Sequence, residues 1–506
     1  MRLLDRLAQR LGYVPAKTRA RSHGYAAAEL SRLTASLSSE SQYINNTLRY
    51  QLRILRARSR QATQNNPFGR RFAQMVVDNI CGPVPFRLQA KVKSKAGKID
   101  VSANRRIESE WAAWGRKGSC EITERWSWSV MQRLLVRILA TDGELLLRQL
   151  TGPEQGRHGY RLQVIDVDRL DDLKNQTLAG GGAIHMGIEM DAYSRPVAYH
   201  LLKRKPSDWQ RGAYTRETER VPASEIIHFF IPEFAEQVRG VPWMYAALLN
   251  LVHLGAFEEA AVIAARVGAS SMGIIETPDG GQTLAQQQGQ TDTTEPSINA
   301  EPGVFQFLPP GYKMSEGWDP KYPDAAIEPF VKACLRGVAV GVGVAYHNLS
   351  GDMEGVNYSS ARIAELDERD SWMVLQNAVS EHLHQPIYDA WLRLQILLGT
   401  LPFNAGDVAK YRAVYWQGRR WAWVDPAKEV RASLDAIEGK LKSRTRVIAE
   451  AGEDIEDVFD EIVDEERLAK EKNISLELPK KTSTGNTVVA DQGDGTDNAD
   501  ASSANA

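Results

Sequence analysis

Between residues 42 and 62 the apolar positions Leu48, Leu52 and Leu55 recur at helical spacing. Arg49, Arg53, Arg56 and Arg60 run beside them as a basic stripe at i, i+4, i+7 and i+11. The pattern predicts an amphipathic helix. Asn65-Asn66-Pro67 ends it, a second apolar helix follows to about Ile80, and Cys81-Gly82-Pro83 turns the chain into strands. From about 84 to 232 a period of two dominates. In Ile184–Asp191, Ile184, Met186, Ile188 and Met190 alternate with His185, Gly187, Glu189 and Asp191, the pattern of one half-buried strand. Tyr193-Ser194-Arg195-Pro196 reads as a turn, Val197–Leu202 as a return strand, and Leu162–Val167 and Glu225–Ile231 as two more strands. Helical stretches at 104–117 and 126–140 make this region α+β.

The period then returns to helical. Pro242 is expected to open a long helix rich in alanine and leucine, followed after Gly273 by a short strand and a polar, glutamine-rich stretch that reads as a flexible insertion. The segment VFQFLPPGYKM closes that insertion as a strand and turn. A helix from about Asp324 to Ala345 carries Ile327, Val331, Leu335, Val338 and Val342 on one face. After the loop YHNLSGDMEGVNYSS comes a very long helix from about Ser360, bent at Pro386 and supported by the Glu365–Arg369 pair. Residues 426–472 read as two or three short charged helices, and the segment after about Asn473, almost without large apolar residues, as disordered.

At 506 residues the chain exceeds one ordinary core, since a typical domain spans ~100–200 residues. Its 43% hydrophobic and 25% charged content is that of a globular protein, and the formal net charge of −2 supplies no global basic field for nucleic acid. The charge is segregated, however: arginines crowd the first seventy residues and acids crowd Glu450–Glu471. Solvated helix faces account for this, and in a homo-oligomer so would contacts between neighbours. Three distant cysteines, Cys81, Cys120 and Cys334, argue against a disulfide framework. The N-terminal leucines are interrupted by charge, unlike a signal peptide. The weakly charged run Gly337–Tyr346 falls short of the ~18 apolar residues of a membrane span, so a soluble protein is expected, with no membrane partner.

Few constellations offer chemistry. IDVDRLDD gathers Asp166, Asp168, Asp171 and Asp172, but it lacks the glycine and closing glutamate of a calcium loop. His382 and His384 are two apart and point to different helix faces. Gly337, Gly341 and Gly343 form no phosphate loop, because no G-x-x-x-x-G-K-[ST] is present; close helix packing explains them better. The segment with Trp416, Arg419, Arg420, Trp421 and Trp423 has the residue types of a base-stacking surface, and domain packing is the preferred reading. No catalytic residue, metal site or cofactor site is expected, so the chain does not read as an enzyme.

Three segments, in one order, resemble the lambda-like branch of the tailed-bacteriophage portal family: RARSRQATQNNPFGRRF; GIEMDAYSRPVAYHLL with VPASEIIHFFIPEFAEQVRGVPWMYAAL; and NLSGDMEGVNYSSARIAELDERDSW. The similarity covers roughly residues 40–470. It implies an α+β, predominantly helical, ring-forming fold. The implied regions are an N-terminal arm (1–45), an α/β wing (46–240), a first stem helix (241–269), a clip (270–317) and a second stem helix (318–345). A tunnel loop (346–358), a long wing helix with a closing segment (359–425), a helical crown (426–472) and the tail (473–506) complete the chain.

The resemblance further implies a ring of about twelve copies at one capsid vertex of the virion, assembled in the host cytoplasm. Its partners would be the terminase large subunit, head-completion or adaptor proteins, the major capsid and scaffold proteins, and double-stranded DNA held without sequence preference. The residues it would place toward DNA are Tyr346, His347, Asn348, Leu349, Ser350, Asp352, Met353, Glu354 and Asn357 of the loop, with Lys332 and Arg336 lining the stem. Lys332 and Arg336 would form a sparse positive ring, or pair with acids of a neighbouring subunit. A structural minor capsid protein without a channel is the alternative.

Overall fold

Asn66 ends one helix and starts the next. It caps α1 (Ile44–Asn65) in extended backbone, and its side-chain oxygen accepts the N–H groups of Phe68 and Gly69 at the start of α2 (Pro67–Ile80). Pro67 at the first turn costs nothing there, because that N–H has no helical partner. A Cβ on Gly69 would lie 2.7 Å from the carbonyl oxygen of Ala62, so the elbow closes only around glycine. In this computed structural model the described residues are 43–94, 97–204, 216–269, 275–276, 313–314, 327–421, 426–472 and 474. The N-terminal arm up to 42, the interior of the 270–317 insertion, Trp423 and the tail after 474 fall outside them.

The α+β expectation holds. After β1 (Arg87–Ala90), α3 (Val101–Trp114) and α4 (Trp128–Asp142) come β2 (Glu144–Thr151), β3 (Tyr160–Ile165), β4 (Gln176–Thr177), β5 (Ala183–His185), β6 (Ile188–Met190), β7 (Pro196–Leu202), β8 (Thr218–Pro222) and β9 (Ile226–Phe230). One antiparallel sheet has the order β3-β2-β9, and a second is the meander β4-β5-β6-β7-β8. The single strand expected at Ile184–Asp191 is instead two. Met186 and Gly187, with φ of +47° and +84°, form a two-residue turn that pairs His185 with Ile188, the backbone that right-twisted hairpins require. The alternation survives the break, and Ile184, Met186, Ile188 and Met190 are all buried.

Aromatic residues distant in sequence join the largest core, while the meander has a smaller one around Ile188, Tyr199 and Leu201. Trp111 packs against Trp114, Trp128, Tyr388, Trp391 and Trp416 with ring centroids 4.6–6.2 Å apart. Trp114 is fully enclosed, and its indole N–H donates to the carbonyl of Tyr160 at 2.9 Å.

The helix expected to open at Pro242 begins later, as α5 (Leu248–Ala269), because residues 243–247 form turns. The strands β10 (Ile275–Glu276) and β11 (Lys313–Met314) pair antiparallel and close the base of the insertion as expected. The return helix α6 (Ile327–Val342) runs antiparallel to α5. Phe257 meets Phe330 at 4.6 Å, Gly337 faces Asn250, and Gly341 faces Ala246 and Ala247. Close packing therefore accounts for Gly337 and Gly341, whereas Gly343, at φ +71° with open space around it, terminates the helix.

Tyr346–Ser350 is a short helix, α7, and not a loop. The long helix comprises α8 (Tyr358–Val379), a π-turn at Ser380–His384 and α9 (Gln385–Leu397). Pro386 lacks the N–H that would continue the ladder, and the wider turn just before it absorbs the mismatch. After α10 (Val408–Tyr411), β12 (Val414–Gln417) returns to pair with β1. Trp416 is buried there, and Arg419 donates to the carbonyl of Asp78 and the side chain of Asn79, so packing accounts for these two residues.

A second unit, Asp425–Ala506, contains three helices among its described residues: α11 (Pro426–Glu438), α12 (Arg444–Ala451) and α13 (Ile455–Glu471).

Candidate functional site

Of the basic stripe on α1, Arg49 and Arg53 are exposed, whereas Arg56 turns into the protein. Leu48 and Leu52 are buried, and Arg56 continues their line at 2% exposure. Its partner is Glu144, the first residue of β2, which is fully enclosed. Arg56 Nη1 donates to Glu144 Oε1 at 2.8 Å. Arg239 contributes Nε to both Glu144 oxygens (3.0 and 2.9 Å) and Nη2 at 2.5 Å, while the Gly240 N–H donates at 2.9 Å and His228 Nε2 lies 3.1 Å away. Burial by itself raises a carboxyl pKa, but Arg239 and the hydrogen-bond donors outweigh it and hold Glu144 well below the usual carboxylate range.

Arg239 also donates to the carbonyl of Met186 at 3.1 Å, so one guanidinium links β2 to the β5–β6 turn. Beside it two backbones cross. A Cβ on Gly240 would sit 2.1 Å from the Gly143 oxygen, and one on Gly143, at φ +84°, would sit 2.0 Å from the carbonyl carbon of Val241. Arg239-Gly240-Val241-Pro242 is thus a locked joint, and it aims the chain toward α5.

The aspartates of IDVDRLDD belong to the same electrostatic layer. Arg60 pairs with Asp142 (2.7 Å), Asp166 (3.1 Å) and Asp168 (2.5 Å), and Arg216 pairs with Asp171. Arginines already occupy the positions that a cation would take.

At the other end of α6, Lys332 Nζ contacts Glu328 Oε1 (2.6 Å), Glu354 Oε2 (2.5 Å) and, more distantly, Asp352 Oδ2 (3.7 Å). Hydrogen bonds to Glu328 and Glu354 raise its pKa further above its ordinary value. Three carboxylates of its own chain thus surround Lys332. Arg336 lies over the Tyr346 ring at 5.5 Å, and the Tyr346 hydroxyl donates to Asp352 at 2.9 Å.

Asn348 donates to Glu368 at 2.8 Å, and the same carboxylate accepts the Ala345 N–H at 3.0 Å. Ser350 Oγ donates to the Tyr346 carbonyl, and Asn357 caps α8 by accepting the Ser360 N–H. His347 is partly buried; Met353 and Glu354 are exposed. Leu349, at 3% exposure, is enclosed in the core, and its assignment to a DNA-facing surface is corrected accordingly. The segment expected as a loop is therefore a helical turn clasped at both ends, with only 351–357 outside regular structure.

A further feature did not register in the sequence. Leu248–Arg266 is apolar enough and long enough to cross a membrane by length and composition, yet only 17% of that window is buried. Leu249 and Val252 are each 65% exposed, and Val262 and Ile263 about half exposed. Glu258 and Glu259 sit mid-helix, costly in hydrocarbon. A protein surface is the better cover for this face. Glu144 was missed as well. Its signal was a lone acid between Gly143 and the apolar run Leu145-Leu146-Leu147, at the head of a strand otherwise fit for burial.

A profile of the family described as "Phage portal protein, lambda family" matches residues 30–376, from before α1 to near the end of α8. The class is thus phage portal proteins. Among curated relatives, the probable portal protein of Halomonas phage phiHAP-1 is 31% identical over 422 residues, covering 83% of this chain and 81% of that protein. Portal protein B of Escherichia phage lambda is 22% identical over 438 residues, with 80% and 81% covered. A solved chain from the neck of a native gene transfer agent particle, computed with C12 symmetry, aligns at TM-score 0.46 and 16% identity over 78% of this chain and 92% of that one. Within the class, the chain belongs to the lambda family of phage portal proteins.

Proposed function

We propose that copies of this chain, about twelve, form the ring at one capsid vertex through which double-stranded DNA is packaged and later ejected. In this reading 46–240 is the wing, α5 and α6 are the stem, 270–317 is the clip, 346–358 is the tunnel loop, 359–425 is the long wing helix with its closing segment, and 426–472 is the crown. The clip would receive the terminase large subunit during packaging and head-completion proteins afterwards. Major capsid and scaffold proteins would surround the wing. The exposed apolar face of α5 fits a neighbouring subunit's stem.

The observation that carries the DNA-conducting role is electrostatic. Duplex DNA presents a charge every ~1.7 Å of axis, and each neutralised phosphate adds affinity. A conduit lined with uncompensated cations would grip its cargo. Tyr346–Asn357 contains Asp352 and Glu354 but no lysine or arginine, and Lys332 beside it is already engaged by three carboxylates. Such a surface guides without holding. ATP hydrolysis would come from the terminase, because no nucleotide-binding motif occurs in this sequence.

Electron microscopy of the purified protein tests the assembly, and a ring with a central hole is the expected image. Solid or monomeric particles would favour a minor capsid role without a channel. Shortening 351–356 and measuring DNA per particle tests the channel, since unchanged packaging and retention would remove the loop from it.

A further inference from the structure

The described residues of the second unit hold almost no core. Among the described residues of 426–472 only Ala469 is buried. On α11, Val430 and Leu434 lie one turn apart at 43% and 56% exposure, and Leu441, in the turn after the helix, is 82% exposed. On α13, Phe459, Ile462 and Val463 make a second apolar strip, between 43% and 63% exposed. Helices of 13, 8 and 17 residues are marginal in water without a surface to pack on. Both strips therefore require cover.

The charges around the strips say what the cover is. Residues 426–446 carry six bases against three acids, and residues 450–471 carry eleven acids against two bases. The bases gather at the α11–α12 junction, where 440–446 hold four bases and no acid while α11 itself holds two bases and three acids; the α13 strip has an acidic border. The pairs formed within the unit, Lys442–Glu450 (2.9 Å), Arg446–Glu450 (3.5 Å) and Arg467–Asp464 (3.0 Å), leave this polarity in place. Nucleic acid is a poor occupant for the α13 strip, because the acids would repel its phosphates. Two different, complementary faces on one chain are what a head-to-tail contact between copies needs, and such a contact closes into a ring when the rotation allows.

We propose that the α13 strip of one subunit docks on the α11–α12 strip of the next, so that residues 426–472 form a continuous belt with its own heterologous interface. The proposal rests on the ring reading above. It adds which faces meet and in which sense.

The test uses the full chain carrying Cys334→Ser, with Leu434→Cys and Phe459→Cys introduced singly and together. Cys81 and Cys120 are buried, and burial pushes both thiols up to about 12, which keeps them from reacting. Rings are first scored by electron microscopy, then oxidised and run under denaturing conditions. The expected result is a ladder extending beyond dimer for the double variant and no dimer for either single variant. Replacing Asp457, Asp460 and Asp464 by Lys should abolish the ladder, and adding Lys440→Glu, Lys442→Glu and Arg444→Glu should restore it.

Intact rings giving only monomer-mass product, including an internal cross-link within one chain, would overturn the proposal while sparing the ring. Dimers from a single variant would also overturn it, because they mark a symmetric contact. Absence of rings from the Cys334→Ser parent would instead fail the ring reading, and this proposal with it.

Discussion

Replacing Glu144 by Gln removes one negative charge and leaves the shape of the side chain almost unchanged. In the folded protein Glu144 is fully buried and answers two guanidinium groups that are themselves 2% and 0% exposed. With Gln at 144, Arg239 keeps only neutral acceptors, and Arg56 falls back on Asp168 at 3.4 Å. Removing one partner of a buried, hydrogen-bonded charge pair costs ~3–5 kcal/mol, because the remaining charge stays desolvated. For the unit Met1–Val424 that corresponds to a fall in melting temperature of roughly 3–6 °C. The strain is placed at the joint that leads to α5, so ring yield should fall together with thermal stability. Differential scanning fluorimetry of the purified variant, alongside particle counting by electron microscopy, measures both. A melting temperature within about 1 °C of the parent, roughly the effect of 1 kcal/mol or less, would refute the view that this network locks the joint.

Gly240→Ala should be at least as damaging. Its Cβ would meet the Gly143 oxygen at 2.1 Å, backbone against backbone, and expression as soluble rings is the readout. His384 is fully buried, and burial lowers its pKa to about 4. Because the folded value lies below the unfolded one, the unfolded chain binds more protons between pH ~6.5 and ~4, so stability is complete above that window and drains away as pH falls through it. The loss reaches about 3 kcal/mol, and the difference in pH-dependent unfolding between the parent and His384→Gln isolates it. Lys332→Met removes the cation shared by Glu328, Asp352 and Glu354. Cleavage by a glutamate-specific protease after Glu354 should accelerate, and an unchanged rate would show that the clasp does not restrain 351–357.

The elements of α1, α2, α8 and the strand at Pro196–Leu202 were legible because local signals agree with the tertiary outcome: an Asn-Pro boundary, a helical apolar stripe, a turn at Ser194. The hairpin at Met186-Gly187 was not, because a period of two continues unbroken through a two-residue turn. The start of α5 was placed too early for a related reason. Residues 243–247 have helical composition, but the locked joint before them leaves the chain in turns until Leu248. Tyr346–Ser350 looked like loop sequence because its helix depends on contacts from Glu368, twenty residues away in α8.

The sequence by itself determined the class of the protein: the α+β body, the two apolar helices around an insertion, the segment before the long helix, and the portal resemblance carried by three ordered motifs. It also located the charges, since composition and spacing are properties of the chain. What it left open was where each charge went. Arg49, Arg53, Arg56 and Arg60 look equivalent on a helical wheel, yet Arg56 is sealed against Glu144 and Arg60 holds three aspartates. Only the tertiary structure decides that. Whether a charge is a solvated face or a buried tie depends on which distant carboxylate the fold brings within ~3 Å in a desolvated place, and no local pattern records it.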